Sequence, residues 1–144
     1  MNFPERPSHA RLSERKSLHV TVPYTDFLTL YPEPGAQPIY RLAFKVHIYN
    51  SGRGAVTLLA RKWASVDEEA NLNIVEAERV FNGTPRIPKH GVFSYGGVYD
   101  FPLRPFAIEL RIAAVDEHGV PFISTPYVFN REQLTPTPDP LALD

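Results

Sequence analysis

No cysteine occurs in this 144-residue chain, and that single absence removes disulfides, thiolate nucleophiles and Cys-based zinc or iron–sulfur sites together. No apolar run approaches the eighteen or so residues that a membrane-spanning helix needs. Net charge is nearly absent too. With 15 Lys+Arg against 16 Asp+Glu the balance is -1, so the overall field recruits neither nucleic acid nor an anionic membrane. The opening MNFPERPSHARLSERKS is polar and lacks the apolar stretch of a secretory signal. The expectation is a cytoplasmic protein with no membrane or nucleic-acid partner. A long helix is missing as well, because no extended segment keeps a 3.6-residue apolar spacing.

What is present is enough for one core: 43% of the residues are hydrophobic and 12% aromatic, in a chain of single-domain length. The 15 prolines, about twice ordinary usage, sit mainly where apolar periodicity breaks. Between those breaks the period is two. In YRLAFKVHIYN the residues Tyr40, Leu42, Phe44, Val46 and Ile48 share one face, with Arg41, Lys45 and His47 on the other. PFAIELRIAAVD repeats the pattern, with Phe106, Ile108, Leu110 and Ile112 inward, and SLHVTVPY gives a shorter version through Leu18, Val20 and Val22.

Turn chemistry separates these runs. Asn50-Ser51-Gly52-Arg53-Gly54 and Asp116-Glu117-His118-Gly119 both read as hairpins supplied with glycine, while the proline-rich residues 24–38 read as a crossing between sheets. Strands are predicted near 17–23, 39–50, 55–66, 72–81, 91–101, 104–116 and 120–129. The fourth is the least regular and is also compatible with a short helix. Seven short antiparallel strands without a long helix make a β-sandwich. The domain is expected over 17–130, between a mobile N-terminal tail, 1–16, and a proline-rich mobile C-terminal tail, 131–144.

The runs YRLAFKVHIYNSG, LLARKW and AAVDEHGVPF, in that order and at these distances, resemble the ApaG family (DUF525 domain) from about Ser17 to Asn130. The resemblance implies a fibronectin type III/immunoglobulin-like sandwich, all-β and seven-stranded, without assigned catalytic chemistry. Bacterial members have been linked by genetics to divalent-cation resistance, and related domains occur in eukaryotic F-box proteins and in a polymerase-delta-interacting protein. It also implies a G-x-G-x-x-G segment proposed to grip pyrophosphate, but in this chain those glycines fall on Ala77, Arg79 and Asn82. The nearest glycine, Gly83, comes one place late. A second departure is DFPLRPFAIEL, where the family usually carries threonine, glycines and methionine.

Candidate sites are few. The segment EAERVFNGTPRIPKH, residues 76–90, reads first as a strand connection; the alternative is an anion grip made by Arg79, Arg86 and Lys89 with Asn82 and the backbone of Gly83. The five histidines show no metal-ligand spacing, and Ser94 lies in a strand pattern rather than a nucleophile elbow. No catalytic set, metal site or cofactor is expected. Trp63, Tyr95 and Tyr99 read first as core or sheet-face packing, and as partner anchors if exposed. The expected function is a non-catalytic protein-interaction module, connected through the resemblance to divalent-cation homeostasis; the alternative is a nucleotide or pyrophosphate sensor working through 76–90. An edge strand offers a β-augmentation route to a protein partner or to a second copy of the chain.

Overall fold

The computed structural model describes residues 12–77 and 83–138. The described residues form strands β1 (Ser13–Arg15), β2 (Leu18–Leu30), β3 (Ile39–Asn50), β4 (Val56–Asp67), β5 (Leu72–Ala77), β6 (Arg86–Ile87), β7 (Val92–Phe101), β8 (Pro105–Asp116), β9 (Pro121–Ser124), β10 (Tyr127–Val128) and β11 (Thr137–Pro138). One sheet runs β1-β9-β8-β4-β5, with β6 added against β4 and β10 against β8; the other runs β11-β2-β3-β7. Stripped of its four short strands, this is the seven-stranded antiparallel sandwich expected from the periodicity, β2-β3-β7 against β5-β4-β8-β9. The core lies between the two layers. Leu42, Val46, Ile48, Leu58, Ile108, Leu110 and Ile112 fill it from alternate positions of β3, β4 and β8.

β3, β4, β7 and β8 begin and end within one residue of their expected spans, because turn residues bound each of them; a two-residue alternation runs along β3, β7 and most of β8, whereas residues 63–67 of β4 are all buried. Three features differ. The first strand does not stop at residue 23 but continues to Leu30, and β2 pairs antiparallel with β3 along its length. Residues 24–38 are therefore the far half of one strand and the loop of a hairpin, not a sheet crossing. A register shift between Thr21 and Tyr24 hides this continuity. Leu18, Val20 and Val22 face inward before it and Phe27 after it, so the apolar phase slips by one, and Pro23 sits where the ladder is already interrupted.

The second difference is complementary. Residues 51–55 join β3 in one sheet to β4 in the other, so they form the crossing and not a hairpin. The turn at 116–119 does join paired neighbours, β8 and β9. Third, β8 bulges at Phe106, the extra residue between Ala107, opposite Val66, and Pro105, opposite Asp67; its ring turns out to solvent, 58% exposed, while its neighbour Pro105 is buried. The expected inward face of β8 begins at Ile108.

Packed chain also extends past both expected domain boundaries. β1 pairs in parallel with β9, and Arg15 reaches Asp116 at 3.0 Å. After residue 130, Asn130 and Gln133 cap one another: the Gln133 N–H donates to Asn130 Oδ1 and the Asn130 N–H to Gln133 Oε1, each at 2.9 Å. Leu134 enters the core, and β11 pairs with β2. Polar and proline-rich composition marks these residues as tail-like, yet local caps and one leucine are enough to seat them.

Candidate functional site

The connection after residue 82 is fastened before it presents its charges. Pro85 O accepts the Leu58 N–H at 2.8 Å, Arg86 and Ile87 pair with Thr57 and Val56, and Ile87 is buried. Burying such a side chain contributes roughly 1.5–3 kcal/mol, so β6 is held more by packing than by its two-residue length. Asn50 then takes over. Only 1% exposed, it donates from Nδ2 to the carbonyls of Gly54 (2.9 Å), Ile87 (3.2 Å) and Pro88 (3.3 Å), and its Oδ1 accepts the Gly52 N–H at 2.9 Å. Its own N–H donates to Gly91 O, and its carbonyl accepts the His90 N–H at 2.7 Å. The turn closes with Gly91 N–H donating to Pro88 O at 2.8 Å. A Cβ on Gly91 would stand 2.9 Å from that same oxygen, so no larger residue fits without moving backbone.

Gly83, Arg86 and Lys89 thus belong to a pinned strand connection. Gly83 has φ 149, a conformation that favours glycine. Arg86 and Lys89 are exposed, and among the described residues neither side chain has a hydrogen-bond or ion-pair partner. Arg79 and Asn82 lie outside the described residues.

Two of the three aromatic candidates are core residues. Trp63, 9% exposed, packs between Phe44 and Phe129 with ring centroids 5.0 and 5.6 Å away. Tyr95, 5% exposed, meets Phe44 edge-on at 6.3 Å, with the Arg61 guanidinium 5.8 Å from its ring centre. Burial pushes the Tyr95 phenol up to about 12 against an opposing effect of Arg61. Neither offers a surface to a partner, which corrects the anchor reading for both. The cause is the inward phase of β4 and β7 at these positions.

Tyr99 is different. It stacks on Phe101 at 4.5 Å and is only half-buried, on the wall of a cleft of about 570 Å³ shared with Phe101, Leu103, Leu72 and Val75. The opposite wall is β5, which among the described residues pairs only with β4. Leu72 and Val75 are 38% and 39% exposed. Asp67 braces the turn that leads into β5: its Oδ1 accepts the N–H groups of Glu69 (2.9 Å) and Asn71 (3.0 Å). Burial pushes this carboxyl up, but the donated N–H bonds outweigh it and hold the group below its ordinary range. The acid run at 67–69 is therefore a turn with one buried carboxylate. Sequence reading placed a strand at 72–81, of which 78–81 lie outside the described residues, without recognising it as an edge.

The comparisons agree with this architecture. The ApaG domain pattern, DUF525, matches residues 33–108. Protein ApaG from Klebsiella pneumoniae (strain 342) is 33% identical over 85 residues, a match spanning 58% of this chain and 66% of that protein. An X-ray structure from the Northeast Structural Genomics Consortium superposes with a TM-score of 0.68 at 22% identity, over 83% of this chain and 90% of its own. The crystal structure of a Bordetella pertussis protein named ApaA gives 0.62 at 24%, over 79% and 93%. These two show the fold, and the family pattern, spanning β3 to the first part of β8, shows the kinship: the chain belongs to the ApaG domain family.

Proposed function

We propose that this ApaG domain is a non-catalytic interaction module that takes an extended segment of a partner protein along the outer edge of β5, with Tyr99 as the side-chain anchor. The observation that carries the reading is the juxtaposition of an edge strand with an apolar cleft. β5 has ladder partners on one side only among the described residues, so its outer N–H and C=O groups can bond an added strand. The cleft beside it offers Leu72, Val75, Tyr99 and Leu103 to that strand's alternate side chains. Main-chain pairing supplies affinity and the cleft supplies selectivity. A link to divalent cations would then be exerted through the partner.

The test is affinity capture from cell extract with the wild-type chain, with Tyr99→Ser, and with Val75→Lys on the β5 edge. Saturable recovery of one protein by the wild type, lost in both variants, supports the reading. Recovery of the same proteins by all three, or of none, removes it. A second copy of the chain as occupant would appear as a dimer in sedimentation that both substitutions dissolve.

A further inference from the structure

A second cleft, of about 340 Å³, opens where β8 starts and where the capped turn after β10 packs against it. Arg104, Phe106, Phe129, Arg131, Leu134 and Thr135 line it. We propose that it binds a small organic anion, a carboxylate carried on an apolar, ring-sized body.

The charge comes first. Three other arginines lie against carboxylates, Arg15 against Asp116, Arg41 against Asp100, and Arg111 against Glu109 and Glu14, while Arg86 is exposed on its own strand and, among the described residues, lines no cleft with a second arginine. Arg104 and Arg131 line one cleft, and among the described residues neither forms an ion pair. Arg104 is the more unusual. Its Nε is buried and meets no acceptor among the described residues, although a buried donor is ordinarily matched by a partner. Its terminal nitrogens, which no acceptor among the described residues occupies, offer the planar fork that fits the two oxygens of a carboxylate.

The apolar half comes from Phe106. The bulge at this residue of β8 turns its ring outward, where it is 58% exposed, against a floor made by the buried Phe129 and Leu134. An exposed phenylalanine over a hydrophobic floor, beside two guanidiniums with no ion-pair partner among the described residues, suits a ligand with one charged and one greasy end. The volume is at the small end of ligand pockets, which favours a compact acid over a nucleotide. The far wall is fixed, not loose. Arg131 O accepts the Leu134 N–H at 3.2 Å and the Thr135 hydroxyl at 2.8 Å, and Gln133 ties the turn to β2 by donating from Nε2 to Val22 O at 3.1 Å. This site shares no residue with the β5 cleft, and Arg131, Leu134 and Thr135 lie beyond the span 33–108 that matches the family.

The experiment is an amide chemical-shift titration of the full chain with benzoate, with phenyl phosphate, and with benzyl alcohol as the neutral counterpart. Benzoate is expected to saturate shifts of Phe106, Arg131, Leu134 and Thr135, and benzyl alcohol to move them weakly and without saturation. Arg104→Gln keeps the backbone tie in which the Glu68 N–H donates to Arg104 O at 2.9 Å, and should weaken benzoate roughly tenfold, the loss of one charge-assisted hydrogen-bond pair. Arg131→Gln should act in the same direction and serves if the first variant does not fold. Phenyl phosphate binding that depends on either arginine supports an oxyanion site that is not restricted to carboxylates. Equal shifts from benzoate and benzyl alcohol, shifts scattered outside the cleft, or shifts indifferent to both substitutions would overturn the proposal.

Discussion

Two turns with nearly the same vocabulary do opposite jobs in this molecule. Residues 50–54 and 116–119 each begin with an Asn or Asp and contain glycine, yet the first carries the chain from one sheet to the other and the second returns it to a neighbouring strand. The difference lies in where the first side chain spends its hydrogen bonds. Asp116 serves mainly its own turn, its Oδ1 accepting the N–H groups of His118 and Val120 at 2.9 Å each. Asn50 is buried and donates to Ile87 and Pro88, 37 and 38 residues away. An amide can accept and donate at once, whereas a carboxylate only accepts. A crossing needs a residue that holds a foreign segment as well as its own loop.

The comparison breaks most sharply at Asn50. Asn50→Asp leaves a buried carboxylate facing three carbonyls, and the loss should be about 4 kcal/mol, read as a fall in the urea midpoint; an unchanged midpoint would deny the amide its role. Next comes Gly91→Ala, in the segment Asn50 holds. The added methyl meets the Pro88 backbone and should cost about 2 kcal/mol. In the hairpin, Gly119→Ala meets no neighbouring atom but has to keep φ 79, for about 1 kcal/mol. If the hairpin glycine proves the costlier of the two, the ranking of crossing over hairpin fails.

The pH sharpens the contrast further. The Val120 N–H holds the Asp116 carboxyl below its ordinary range against burial, helped by Arg15 and the His118 N–H. A depressed carboxyl contributes stability that is complete above the ordinary carboxylate pKa near 4 and lost as pH falls through the folded value. Asp116→Asn should therefore lower stability at neutral pH by less than Asn50→Asp does, and flatten the acid limb of the stability curve below about pH 4. A limb of unchanged slope would contradict it.

The smallest effect is expected at the exposed end of the Asn50-held segment. A ligand at about 100 times its dissociation constant would add roughly 2.7 kcal/mol, a midpoint shift of something like 5–10 °C. Millimolar pyrophosphate should give no shift, with or without Arg86→Ala, if the segment is a strand connection. A shift abolished by that substitution would restore the sensor reading.

Much of the fold was legible because β3, β7 and most of β8 bury one face each, so two-residue alternation records their inward phase directly. The face of β2 was legible only as far as Val22. Beyond the bulge the same strand continues in the opposite phase, and alternation that changes phase looks like alternation that ends. Turn direction was not legible either, since Asn and Gly satisfy backbone conformation without saying which sheet comes next. Of the candidate anchors, Tyr99 reached the cleft while Trp63 and Tyr95 went into the core; Tyr95 and Tyr99 share one face of β7, which pairs with β3 without a register shift, and only Tyr99 stands where the cleft beside β5 opens. Arg104 and Arg131 carried no signal, being brought to one cleft only by tertiary packing.

The β2 bulge also bears on the order of synthesis. Its carbonyl at Val22 receives its side-chain donor from Gln133, 111 residues later, and β11 then lies down beside the second half of the same strand. A nascent chain that has made both β2 and β3 can pair them, but the bulge in β2 stays open to water until the capped turn has left the ribosome. The first long strand made is thus among the last to be completed, and a chain cut at residue 130 would stop one clasp short of closure.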